Sequence, residues 1–210
     1  TNFHFSDIPW ASRTPKLCSL EIERNLSFKM EEFPSQPLWL CILAVKRQGL
    51  ALSKVKEQTE EICWLALKSN LNAFKYIKNK TPKMIVRALK DGRNLKHLKE
   101  EEFTEEYCRT AVLEDPEAYR FVPEAFKTLE ITRFAVSGNG ELIKLAPLEL
   151  RSPSLWRLAW RQTPQILLSH PNLSKETLEE LEFDKEALEK LKKVPGFKKL
   201  KRKIRRMLEE

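Results

Sequence analysis

The chain has 210 residues, 41% hydrophobic and 32% charged, with a net charge of +8 and only five glycines. That length holds one substantial domain or one repeat array, and so few glycines disfavour both a sheet of tight hairpins and a phosphate-cradling loop. The longest apolar run, Leu38 to Val45, is far too short to cross a membrane, and no basic leader with an apolar stretch opens the chain.

An intracellular, cytoplasmic protein without a transmembrane segment is therefore expected. The charge is uneven. Lys192 to Arg206 holds nine basic residues and no acidic one, which leaves −1 for the rest of the chain. The high isoelectric point belongs to a tail more than to the body.

Taken in order, residues 1–13, with Phe3, Phe5, Ile8 and Trp10, are expected as an irregular N-terminal lid. From residue 14 a repeat takes over and runs to residue 171. It is anchored on Ala44, Ala66, Ala88, Ala111, Ala135 and Ala159, spaced by 22, 22, 23, 24 and 24 residues. Four residues before each anchor stand Leu40, Ile62, Met84, Tyr107, Ile131 and Leu155. One residue after stand Val45, Leu67, Leu89, Val112, Val136 and Trp160. These spacings define one face of a helix, with a small side chain at its middle where a neighbouring helix can come close.

The ends of these helices are marked as well. Seven residues before the anchors, Thr59, Thr81, Thr104, Thr128 and Ser152 are good N-caps. Pro82 and Pro153 follow at the first helical position, where the missing N–H costs nothing. Four residues after the anchors come Gln48, Asn70, Gly92, Asp115, Asn139 and Thr163, read as turn or cap residues. A second, shorter helix then carries Leu52, Phe74, Leu95, Tyr119, Ile143 and Leu167. An atypical first copy stands upstream. Thr14-Pro-Lys-Leu17 echoes Thr81-Pro-Lys-Met84, Arg24-Asn-Leu26 echoes Arg93-Asn-Leu95, and Glu21 holds the anchor position. A charge there suits a terminal repeat with no neighbour on one side.

After residue 171 the pattern fades. Capping helices are expected over 172–194, a break at Pro195-Gly196, and a basic amphipathic helix over 195–210. The fold class is thus all-α: a solenoid of about seven short helical hairpins with atypical N- and C-terminal capping segments. The rhythm of Ala66-Leu67 with Ala73-Phe74, and of Ala111-Val112 with Ala118-Tyr119, resembles a family of two-helix repeats of about 22–24 residues. Members of that family occur in bacterial, protist and phage proteins and have no known function. The resemblance covers roughly residues 14–170; it implies the repeat fold and brings no activity and no catalytic residues.

The chemistry-bearing residues do not converge. Cys18, Cys41, Cys63 and Cys108 each fall three residues before an anchor, one per repeat, whereas zinc ligands come in close pairs. Ile85, Thr132 and Trp156 fill the same slot, which marks it as packing. His4, His97 and His170 are far apart, and Gly138-Asn139-Gly140 reads as a turn without the lysine of a phosphate loop. No catalytic set, cofactor or metal is expected.

One repeated surface feature remains. Lys46, Lys68, Lys90 and Arg161 stand two residues after an anchor; Arg109, Arg133 and Arg157 stand two before. Positions four apart share a face, so these seven form a candidate basic stripe, against the alternative of an ordinary solvated surface. Glu57, Glu60, Glu61, Glu100, Glu101, Glu102, Glu105 and Glu106 make the inter-repeat turns acidic. The tail adds Lys198, Lys199, Lys201, Arg202, Lys203, Arg205 and Arg206 around Phe197, Leu200 and Ile204, read either as a binding element or as a capping helix.

A non-enzymatic binding protein is expected, engaging a macromolecular partner as scaffold or occluding inhibitor, with protein preferred as the partner. The alternative is a nucleic-acid-binding protein using the stripe and the tail. The sequence leaves the oligomeric state open.

Overall fold

The computed structural model describes residues 8–9, 12–24, 30, 33, 35–166, 173, 177 and 202. Those residues are predominantly helical, with no strand among them, so the chain is all-α. Phe3, Phe5, Trp10, Asn25, Leu26 and Leu167 lie outside the described residues. So do the capping helices expected over 172–194, apart from Leu173 and Thr177, and the basic helix over 195–210, apart from Arg202.

Contacts divide the chain into two compact units, Thr1–His97 and Leu98–Glu210. In the first, α1 (Pro15–Arg24) packs on α2 (Leu38–Arg47), α2 on α3 (Glu60–Ser69) and α3 on α4 (Pro82–Ala88). Short 3₁₀ helices follow α2, α3 and α4 at Gly49–Lys54, Leu71–Tyr76 and Gly92–His97. In the second unit, α5 (Glu105–Glu114) packs on α6 (Leu129–Gly138), and α6 on α7 (Pro153–Gln162). The 3₁₀ helices Pro116–Phe121 and Gly140–Leu145 follow α5 and α6.

The anchor register holds at each helix. All six alanines are buried, as are Leu40, Ile62, Met84, Ile131 and Leu155 on one side and Val45, Leu67, Leu89, Val112, Val136 and Trp160 on the other; Tyr107 is half-buried. Glu21, in the atypical first copy, is half-buried where the alanines are buried. The expected caps form. The hydroxyls of Thr59, Thr81, Thr104, Thr128 and Ser152 accept the N–H three residues on, at 3.2–3.4 Å, and Thr14 does the same for Leu17. Each cap is worth about 1 kcal/mol.

The second helices are 3₁₀ rather than α. One residue ends each α-helix and starts the next element. The N–H groups of Asn70, Asp115 and Asn139 donate to the anchor carbonyls of Ala66, Ala111 and Ala135. Their side-chain oxygens then accept the N–H of Asn72, Glu117 and Glu141 at 2.9–3.0 Å. Such a turn leaves six residues, too few to nucleate an α-helix, and they wind tightly instead. Leu52, Phe74, Leu95, Tyr119 and Ile143 are buried in these segments. Val55, Ile77, Val122 and Ala146 add a third buried row, at the residue that closes each segment.

The fourth repeat departs from the expected register. α4 has 7 residues where α3 and α5 have 10, so Asp91 rather than Gly92 accepts the capping N–H, from Arg93 at 3.2 Å. Gly92 is already the first residue of the 3₁₀ helix. The longer repeat steps also find their cause. Extra 3₁₀ turns at Glu100–Glu102, Glu124–Phe126 and Leu148–Leu150 occupy the linkers of the 23- and 24-residue steps, and the 22-residue steps have none.

Neighbouring repeats are sewn together at two places. Gln36 spans from its own linker to the next one, donating to Lys54 C=O at 2.9 Å and accepting from Lys56 N–H at 2.9 Å. Gln58, 22 residues later, does the same for Tyr76 C=O and Lys78 N–H at 2.9 and 3.0 Å. At the opposite end, glycine permits backbone to lie on backbone. A Cβ on Gly49 would stand 2.5 Å from the Ala66 carbonyl oxygen, and one on Gly140 would stand 2.2 Å from that of Ala159.

The Gly140 contact gives a sharp test. Gly140→Ala is expected to lower unfolding stability by about 1–3 kcal/mol, because the obstacle is rigid backbone and not a movable side chain. Urea melts of the two proteins measure it; equal midpoints would mean the seam is looser than described.

Candidate functional site: a basic groove between α6 and α7

The stripe residues do not behave alike. In the first unit, Lys46, Lys68 and Lys90 are exposed and have no ion-pair partner among the described residues. In the second, Arg109 on α5 reaches Glu130 on α6 at 3.8 Å, both side chains about half exposed. A surface pair this long contributes little stability, but it offsets the Arg109 charge.

Arg133, Arg157 and Arg161 come together. With Leu129, Ser152, Ser154, Leu155 and Leu158 they line a groove of about 230 Å³ between α6 and α7. Helical spacing explains how. Leu129 and Arg133 are one turn apart on α6; on α7, Arg157 and Arg161 are one turn apart, and so are Ser154 and Leu158. Because α6 and α7 pack with their anchors in register, one flank of each faces the groove. Ser152 is fixed there by its capping role and by an Oγ–Oγ hydrogen bond to Ser154 at 3.0 Å.

The groove is therefore open, apolar along its wall and cationic at its rim. Guanidinium groups stay charged at any physiological pH and present paired donors that match a carboxylate or a phosphate. The arrangement offers paired donors to an anionic group. The sequence pattern finds the three arginines but does not single out Leu129, Ser154 or Leu158.

The remaining candidates fall into place as packing or lie outside the described residues. The four cysteines are buried free thiols, and no group of three or more metal-binding side chains occurs among the described residues. In the same slot Thr132 is buried and satisfied: its hydroxyl donates to Thr128 C=O at 2.7 Å and pairs with Tyr119 Oη at 2.8 Å. Burial, with nearby Lys96, Lys75 and Lys80, holds the imidazole of His97 below its usual pKa; His4 and His170 are not described. Gly138-Asn139-Gly140 forms the expected turn. Of the tail cations, Arg202 is exposed, while Lys198, Lys199, Lys201, Lys203, Arg205 and Arg206 lie outside the described residues. No described helix is long and apolar enough to cross a membrane.

The chain matches no protein-family model, no curated protein and no solved structure.

Burial pushes every one of the four thiols up, Cys108 to about 12 with the Glu105 carboxylate adding to the effect. The unfolded chain loses the Cys108 proton near the ordinary thiol value of 9.0 while the folded chain keeps it. Unfolding then releases a proton, so stability falls as pH rises through that range. Between about pH 8 and about pH 10, denaturant melts are expected to show a smaller loss for Cys108→Ala than for the wild type. Parallel losses would remove the buried thiol from the account.

Proposed function

We propose that this chain is a non-enzymatic binding protein built as a helical-repeat solenoid, and that it engages an anionic segment of a protein partner. Scaffolding and occlusion of the partner are both compatible with this role. The observation that carries the reading is the gathering of Arg133, Arg157 and Arg161 beside the apolar Leu129 and Leu158 in one groove. A protein segment offers carboxylates and apolar side chains together, which is what such a lining complements.

The solenoid reading rests on the shared helix register, the repeated caps, and the stacking of α1 through α4 and of α5 through α7 within their units. We group the chain on this basis with the short two-helix repeats that its rhythm resembles. A nucleic acid would also satisfy the arginines through phosphates, and is the competing partner. The exposed glutamates Glu105 and Glu106, in the first turn of α5 in the same unit as the groove, weigh against it.

Two measurements together test the role. Capture from an extract of the native cell, with nuclease added, is expected to retain a protein with the wild-type chain. The Arg133→Glu, Arg157→Glu, Arg161→Glu triple variant is expected to lose it, as reversing three charges at once turns attraction into repulsion and costs at least about tenfold in affinity. Titration of labelled duplex DNA, single-stranded DNA and RNA is expected to show no binding at physiological salt. Tight, salt-steep binding that the triple variant loses would transfer the groove to nucleic acid.

A further inference from the structure

A different surface, in the Thr1–His97 unit, has a more specific chemistry. Each of its three successive helices repeats one device. Ile42 is followed one turn later by Lys46 on α2 and Trp64 by Lys68 on α3; at the same spacing Val86 on α4 is followed by Lys90 in the turn just beyond that helix. Residues four apart share a helix face. Ile42 and Trp64 are half-buried, and Val86 is 44% exposed although the core beneath it is already filled by Met84, Ile85 and Ala88. Because α2 packs on α3 and α3 on α4, Ile42, Trp64 and Val86 hold equivalent positions on successive packed helices, and a lysine follows each at the same spacing. On α2 the surface is extended by Leu38 and Trp39, 51% and 36% exposed. The Trp64 indole N–H donates to Glu60 Oε1 at 3.4 Å, which lays the ring along its own helix.

We propose that α2, α3 and α4 form a docking strip for an acidic amphipathic helix of a partner protein. The part of this apolar row that the fold leaves exposed takes the apolar seam of the visitor. The lysines, without ion-pair partners among the described residues, take carboxylates along one edge of that seam. The spacing agrees. Packed helix axes stand about 8–10 Å apart, and seven residues of a crossing helix rise about 10.5 Å, so one carboxylate per heptad meets one lysine per repeat. An anionic membrane would also accept apolar residues and lysines. Here exposed Glu57, Glu60 and Glu61 lie close in sequence on the same helix and its linker and would repel a flat anionic surface; Glu60, bonded to Trp64, borders the strip, so a visiting helix must place its carboxylates on the lysine side. The strip belongs to the first unit and does not rest on the arginine groove, so the two assignments stand or fall separately.

The test uses the full chain and a fluorescein-labelled synthetic helix of about 18 residues, with leucines at heptad a and d and a glutamate flanking them in each heptad. Controls are the same peptide with lysine for glutamate and a scrambled sequence. By fluorescence anisotropy the acidic peptide is expected to bind the wild type, and the two controls to bind at least about tenfold more weakly. Lys46→Glu, Lys68→Glu, Lys90→Glu together, and separately Trp64→Ala, are each expected to weaken the acidic peptide by about tenfold. The lysine positions are fully outside the core, so that variant serves even if Trp64→Ala fails to fold. Arg133→Glu, Arg157→Glu, Arg161→Glu is expected to leave peptide binding unchanged. No binding by the wild type, equal binding of the controls, or an unaffected lysine variant would overturn the strip. So would co-sedimentation with phosphatidylserine vesicles in place of peptide binding, or a wild-type dimer that Trp64→Ala converts to a monomer.

Discussion

The close approach of helices at one alanine per repeat is the constraint on which the rest depends. At Ala66 and Ala159 the neighbouring repeat brings a glycine, Gly49 or Gly140, onto the anchor carbonyl itself. That carbonyl also receives the N–H of the residue that ends its helix, Asn70 or Thr163. A larger side chain at the anchor would hold the helices apart. The backbone seam and the hydrogen bonds that cross it would open together, because packed interiors do not deform by small increments. The same closeness fixes the helix ends. A helix must stop one turn past its anchor, where Asn70, Asp115 or Asn139 turns the chain and caps the 3₁₀ helix beyond it.

The seam also decides which polar groups are tolerated in the interior. Gln36 and Gln58 bridge carbonyl and amide groups of successive linkers, most of them exposed, where repeats meet. Asn94 plays a related part from within its own 3₁₀ helix: it is buried and donates to Ala88 C=O at 2.9 Å and Leu71 C=O at 3.2 Å. The slot three residues before the anchor is buried whether it holds Cys, Ile, Thr or Trp, and its hydroxyl member, Thr132, finds partners in Thr128 and Tyr119.

Much of this is legible from residue types alone. The alanines, their large neighbours and the threonine caps are set by helix periodicity, which is local, and they stand where the sequence puts them. The 3₁₀ character of the second helices is not legible, since it depends on the room left between an Asx turn and the buried Val55, Ile77, Val122 or Ala146. The glutamine staples escape a sequence reading because each joins residues 18 or 20 apart, a separation that no local pattern displays. Gly92 sits one residue past the turn that its spacing predicts, because a missing turn of α4 shifts the register. For the groove, the sequence identifies Arg133, Arg157 and Arg161 as a series. Only packing shows that they share a cleft with Leu129 and Leu158 while Arg109 is drawn to Glu130.

What the repeat leaves unconstrained is the outer flank of each α-helix, and there the two halves of the chain diverge. Two residues before the anchor, α2, α3 and α4 carry Ile42, Trp64 and Val86, while α5, α6 and α7 carry Arg109, Arg133 and Arg157. The anchor is a buried alanine in both sets, so the anchor itself does not impose the difference. Charges one repeat apart stand near the Debye length, about 8–10 Å at cellular salt, and each acts mostly on what touches it. A long basic stripe would therefore gain little from its length. Outer residues agree in chemistry only over short runs of two or three repeats, apolar and lysine-edged in one half, arginine-rimmed in the other. The alanine seam keeps each run in register, and the flank residues set the surface it presents.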